Sequence, residues 1–149
     1  MTSNRRLRTA SSGRLPRPGV QVVVVDDNPM TVKLLEYLLR EGGWKFSGFT
    51  SPHEALRALP GLTPDLIVTD YRMPRMSGPE FLLEAEKIHE GVPKMIMTAY
   101  GEEIFVQEML RKAGVPSVSK ANGLLEVIAL AEQLASVTQA LRLRDRAAC

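Results

Sequence analysis

Six residues, Val20 to Val25, hold five valines and one glutamine, and they run directly into Asp26-Asp27-Asn28-Pro29. β-branched, almost wholly apolar stretches of this length form strands covered on both faces. Such a strand needs helices above and below it, which points to a parallel sheet. The Asp-Asp-Asn-Pro segment ends the strand at a turn.

The rest of the chain keeps this alternation. A helix follows, with Leu34, Leu35, Leu38 and Leu39 on one face and Gly42-Gly43 closing it. Lys45 to Phe49 reads as a weaker strand. Ser51-Pro52-His53-Glu54 is a helix start, with a serine cap, proline in the first turn and glutamate three on. Leu66 to Thr69 is a strand that ends at Asp70, and Ser77-Gly78-Pro79-Glu80 opens a helix running to about His89. Lys94 to Met97 is a strand that ends at Thr98. Gly101 to Lys112 is a helix closed by Gly114, and Val115 to Ser119 is a short strand. Pro116 has no amide donor, which puts that strand on a sheet edge. A long helix fills Ala121 to about Leu143. Five strands alternating with five helices predict an α/β fold, a doubly wound five-stranded parallel sheet with right-handed crossovers.

A chain of 149 residues with 44% apolar and 24% charged residues is an ordinary single-domain composition. Its one cysteine excludes a disulfide framework within the chain and favours a reducing compartment. No unbroken apolar run approaches the ~18 residues of a membrane span, so no transmembrane helix is expected. The net charge of +2 conceals a polarity: residues 1–18 carry +5, residues 142–149 carry +2 and residues 19–141 carry −5. Residues 1–18 read as a disordered basic leader, 19–135 as the domain, and 136–149 as an extension of the terminal helix. The leader's arginines could touch nucleic acid or lipid headgroups, although a solvated flexible leader is the simpler reading.

In doubly wound sheets, ligands bind beyond the carboxyl ends of the strands. Four of the five strands end there in reactive groups: Asp26-Asp27, Asp70, Thr98 and Lys120. Two carboxylates 4 Å apart repel by roughly 4 kcal/mol at an effective dielectric of about 20. Proton uptake, a lysine or a cation must offset that. Carboxylate oxygens suit a hard cation such as Mg²⁺, which commonly keeps several waters and a phosphate oxygen. A divalent metal, a lysine and a hydroxyl together suit a transferring phosphoryl group, and one carboxylate could be the nucleophile. Each residue alone has a simpler reading as a cap, a turn residue or a solvated charge.

At these positions the chain resembles the receiver domain of two-component response regulators over residues 20–135. The motifs are Val-Val-Asp-Asp-Asn at 24–28, Asp70-Tyr71-Arg72-Met73-Pro74-Arg75-Met76-Ser77-Gly78, Thr98-Ala99 and Val118-Ser119-Lys120. The resemblance implies a flavodoxin-like strand order of 2-1-3-4-5. It implies Asp70 as phosphoacceptor, supplied by a sensor histidine kinase or phosphotransfer protein. It further implies that Asp26, Asp27, Asp70 and the backbone carbonyl of Arg72 hold Mg²⁺, while Thr98 and Lys120 bind phosphoryl oxygens. Such a chain is a cytoplasmic signal receiver that assists its own phosphorylation and dephosphorylation, and is not otherwise an enzyme. Two positions depart from the family pattern. Ser117 stands where an aromatic residue usually lies three before the lysine, and Ala121 stands where a proline usually follows it. Tyr100 is a candidate substitute gate, and Arg72 could reach or shield the phosphoryl group.

Rival readings are a degenerate receiver acting as a constitutive interaction module, a receiver fragment of a larger regulator, a haloacid-dehalogenase-like phosphatase and a nucleic-acid binder. The phosphatase requires a second aspartate two after the first, where this chain has Arg72. Nucleic-acid binding is disfavoured because no helix-turn-helix segment lies outside the receiver. The terminal helix carries one stripe of Leu124, Ile128, Ala131 and Ala135, and another of Val127, Leu130, Leu134, Val137 and Leu141. One stripe packs on the sheet and the other needs a partner. The protruding end could be a dimer seam, a connector to an output domain or a cap on its own fold, and two heptads do not decide among them. The expectation carried forward is a homodimer through the fourth and terminal helices that phosphorylation strengthens.

Overall fold

The computed structural model describes residues 19–99 and 103–148. The basic leader 1–18, Tyr100, the start of the fourth helix at 101–102, and Cys149 lie outside the described residues. The elements in order are β1 (Gln21–Val25), α1 (Pro29–Glu41), β2 (Lys45–Phe49), α2 (Pro52–Ala58), β3 (Leu66–Asp70), α3 (Gly78–Ile88), β4 (Lys94–Thr98), α4 (Glu103–Lys112), β5 (Ser117–Ser119) and α5 (Leu124–Ala148). All strand pairs are parallel, in the order β2-β1-β3-β4-β5. The fold is therefore the flavodoxin-like sheet expected from the resemblance.

The valine run works as its composition predicts. Val22, Val23, Val24 and Val25 are fully buried. Successive side chains leave opposite faces of a strand, so Val22 and Val24 join the core under α1 and α5, while Val23 and Val25 join the core under α2, α3 and α4. Burying one such side chain stabilises the fold by roughly 1.5–3 kcal/mol. Helix starts are capped from within the sequence. Asn28 Oδ1 accepts from Met30 N at 3.0 Å, and Ser51 and Ser77 accept from the amides three residues on. Ser77 Oγ also donates to Glu80 Oε1 at 3.1 Å.

Two element starts beyond β4 differ from expectation. β5 begins at Ser117, not Val115. Pro116 contributes only its carbonyl, accepting from Ile96 N at 3.0 Å, and β5 is the edge strand that Pro116 requires. The terminal helix begins at Leu124, not Ala121, because Lys120–Asn122 forms a separate 3-10 turn. Ser119 Oγ accepts from Ala121 N, holding that turn, and Gly123 leaves it at φ +93°, a conformation that glycine adopts without penalty.

The stripes on α5 also regroup. Val127 is buried with Ala131 and Ala135, so it belongs to the sheet-facing set and not to the second stripe. Val137, Leu141 and Leu143 are exposed. Thr138 Oγ1 donates to the Asp65 carbonyl at 3.0 Å and marks where α5 leaves the domain. By length and composition alone α5 is long and apolar enough to cross a membrane, a test that the core helix of a globular domain also passes. Its buried Val127, Ala131 and Ala135 already serve the core of the domain.

Candidate functional site

Parallel strands bring their carboxyl ends to one rim. β1 and β3 are neighbours, so Asp26, the residue after β1, stands beside Asp70, the last residue of β3. Asp26 is fully buried and Asp70 is 6% exposed. The exposed Asp27 completes a cluster in which one oxygen of each carboxylate lies within 4.8 Å of the others. The Asp26 carboxylate is aimed by Asn28 N, which donates to Oδ1 at 2.9 Å. Asp70 Oδ1 accepts from Tyr71 N at 3.0 Å.

Lys120 comes to this rim from the edge strand's end. Its Nζ is 2.6 Å from Asp26 Oδ2 and 3.1 Å from Asp70 Oδ1, bridging the two buried acids. Burial disfavours the ammonium, but hydrogen bonding and charge attraction from Asp26, with the charge and hydrogen bond of Asp70, outweigh it and raise the lysine's pKa. Asp70 moves the other way from a normal carboxylate. Burial first, then the Asp26 charge, push its pKa from 3.8 up to about 6, against the pull of Lys120. The charges of the cluster are therefore only partly balanced by the lysine.

Thr98 closes β4 and is fully buried, its Oγ1 donating to the Val118 carbonyl at 3.5 Å. Arg72, two residues beyond Asp70, is exposed on the loop that follows β3. Asp26, Asp27, Asp70 and Lys120 thus form one constellation, and Thr98 and Arg72 belong to the same strand-end rim. Tyr100 lies outside the described residues, and Ser117 is half-buried on β5.

One contributor was not singled out from the sequence. A Cβ placed on Gly78 would come within 2.3 Å of the Asp70 carbonyl oxygen and 3.1 Å of Tyr71 Cα. Gly78 N donates to the Tyr71 carbonyl at 2.8 Å. The loop from Asp70 therefore folds back tightly on the start of α3, and only the absence of a side chain at 78 permits it. The Ser-Gly-Pro-Glu pattern signals a helix start there, and nothing in it signals this contact.

Three carboxylates that the lysine only partly balances suit a hard divalent cation, a class that includes Mg²⁺. A nucleophilic carboxylate, an ammonium and a hydroxyl on the same rim suit phosphoryl transfer.

The family profile that matches is the response regulator receiver domain, over residues 22–132. An uncharacterised 14.6 kDa protein from the sodA1 3′ region of Leptolyngbya boryana is 33% identical over 116 residues, covering 76% of this chain and 88% of that protein. The DNA-binding transcriptional regulator NtrC of Salmonella typhimurium is 31% identical over 115 residues, covering 77% of this chain and 24% of the regulator. Among solved structures, full-length FixJ from B. japonicum superposes with a TM-score of 0.70 at 26% identity, covering 81% of this chain and 60% of FixJ. The chain therefore spans about a quarter of the length of NtrC.

Proposed function

Since the chain belongs to the response regulator receiver domain family, a signalling family and not a classical enzyme family, we propose that Asp70 takes a phosphoryl group from a phosphohistidine and switches a binding face. The observation that carries this reading is the Lys120 bridge between Asp26 and Asp70 inside the three-carboxylate cluster. In the proposed reaction an Asp70 carboxylate oxygen forms the new bond to phosphorus as the phosphorus–nitrogen bond of the donor breaks. Lys120 is placed to turn from Asp70 to a phosphoryl oxygen, because its ammonium is already at that carboxylate. Thr98 would turn its hydroxyl from the Val118 carbonyl to a second phosphoryl oxygen, carrying the change from β4 to β5.

Asp26, Asp27, Asp70 and the Arg72 carbonyl are the proposed Mg²⁺ ligands. Bound there, the ion would offset the carboxylate charges and those of the incoming phosphoryl oxygens. Asp26 holds its position through the Asn28 amide, and Asp27 presents its carboxylate to solvent.

The partners proposed are a sensor histidine kinase or phosphotransfer protein and, through α4, β5 and α5, a second copy of the chain. Residues 19–135 are taken as the receiver, 136–149 as an extension of its terminal helix, and the setting as cytoplasmic. Receiver domains are soluble as a rule.

The test is intact-mass spectrometry after incubation with acetyl phosphate and Mg²⁺. Wild type gains one phosphoryl group and Asp70→Asn gains none. A mutant that still gains one equivalent would move the acceptor elsewhere. Lys120→Ala keeps Mg²⁺ binding but loses most of the phosphorylation-induced change in amide NMR shifts, because its ammonium serves the phosphoryl oxygens and not the metal.

A further inference from the structure

A groove of about 680 Å³ lies between α3 and α4, running along β4 and the loop that leads into β5. Leu82, Leu83, Val92, Met109 and Val115 line it, and Leu134 of α5 borders it. Leu83 is 68% exposed and Met109 41% exposed, so the groove presents apolar surface to water. The same chain holds an apolar ridge of matching character, exposed in its second half. Leu130, Leu134, Val137 and Leu141 follow at intervals of 4, 3 and 4 along α5, which places them on one side of the helix. Leu130 and Leu134 are partly buried against the core, whereas Val137 and Leu141 are exposed beyond it. The ridge thus begins at the groove, at Leu134, and leaves it within the same molecule.

Charge points to the same match. Residues 78–90, on and just after α3, carry a net charge of −3, while residues 136–148 carry +2. Glu86 stands on the groove wall, where it pairs with Lys94, and Glu84 is exposed on α3, where it pairs with Lys87, so the excess of acid over base on and after α3 is what remains for a partner. Arg144 is exposed one turn beyond Leu141. We propose that the groove between α3 and α4 receives the protruding end of α5 from a second copy of this chain, in a reciprocal two-fold pair. Val137 and Leu141 of each copy fill the other's groove, and Arg144 meets the acidic α3. The 13 residues from 136 to 148 extend roughly 20 Å, enough to cross the groove. Reciprocal exchange buries two such contacts at once, which is what a small groove needs to approach the ~1,200 Å² of a stable interface. The pair rests on the self-association proposed above, keeps α4 and α5 in the interface, and replaces β5 with α3 as the other wall of the contact.

Sedimentation equilibrium of the full chain tests it with Leu83→Glu, which blocks the groove, and Leu141→Glu, which blocks the ridge. Both side chains are more than half exposed, so neither change disturbs the core. Wild type is expected to pair, each variant alone to pair at least tenfold more weakly, and an equimolar mixture of the two to regain part of the lost association through its one intact groove and one intact ridge. Raising salt should weaken the wild-type pair. A Leu83→Glu variant that pairs as well as wild type would overturn the groove while leaving self-association through α5 standing. A wild type that stays monomeric would overturn both. Assemblies that grow past two copies would overturn the closed pair.

Discussion

Asp70 carries a pKa of about 6 in the folded chain against 3.8 for the free group, because burial and then Asp26 oppose its charge. A raised pKa means that the folded state holds the proton more tightly than the unfolded state. The stability it contributes is full below about pH 3.8 and is lost as pH rises through about 6. Asp70→Asn is therefore expected to be more stable than wild type at neutral pH without divalent metal, by about 1–3 kcal/mol. The gap should close near pH 4, and added Mg²⁺ should narrow it by binding folded wild type more tightly. Urea denaturation at the two pH values measures this, and equal neutral-pH stabilities would contradict it. Gly78→Ala tests the loop beside Asp70. With the Asp70 carbonyl 2.3 Å from the added carbon, the backbone must move, at a cost of about 1–3 kcal/mol, and phosphorylation should slow. An alanine variant with unchanged denaturation midpoint and rate would show that the loop yields freely. The acids and Lys120 were legible in the sequence because each follows a strand, and a parallel sheet gathers such ends. Gly78 was not, because its reason is a contact with a backbone eight residues earlier.

Among the elements, the inner strands were legible from apolar composition alone, and the helix starts from Asn28, Ser51 and Ser77. The errors fall where pattern competes with backbone geometry. Pro116 shortens β5, since a residue without an amide donor cannot extend its ladder. Gly123 divides what reads as one helix from Ala121. Val127 and Leu141 share a stripe on paper. However, the sheet covers only the first part of α5, so burial within that stripe changes along the helix. Thr138 stands at that change, held by its bond to the Asp65 carbonyl. Thr138→Val is expected to lower stability by roughly 0.5–1.5 kcal/mol, read as a shifted urea midpoint with unchanged slope. No shift would mean that α5 is held by its apolar contacts alone.

Across the whole molecule, the sheet separates two cores, one beneath α1 and α5 and the other beneath α2, α3 and α4. Trp44 is buried in the first, next to the amino end of β2, and the acidic cluster lies at the carboxyl ends of the strands, about 16 Å along a five-residue strand. Trp44 emission should therefore follow global unfolding and stay constant on Mg²⁺ addition, while amide NMR shifts concentrate at Asp26, Asp27 and Asp70. A large emission change with Mg²⁺ would mean that the ion reorganises the far core. The edge of the sheet has a different dependence on the site. β5 has three residues, follows Pro116, and is tied behind its last residue by Lys120 to acids at the carboxyl ends of β1 and β3. The ammonium at the acidic rim is also the rivet on the shortest strand. Whatever draws Lys120 away from its carboxylates loosens or refastens that strand, and with it the foothold a protease would find in the last third of the chain. Under the proposed function, switching and resistance to proteolysis would then depend on the same side chain.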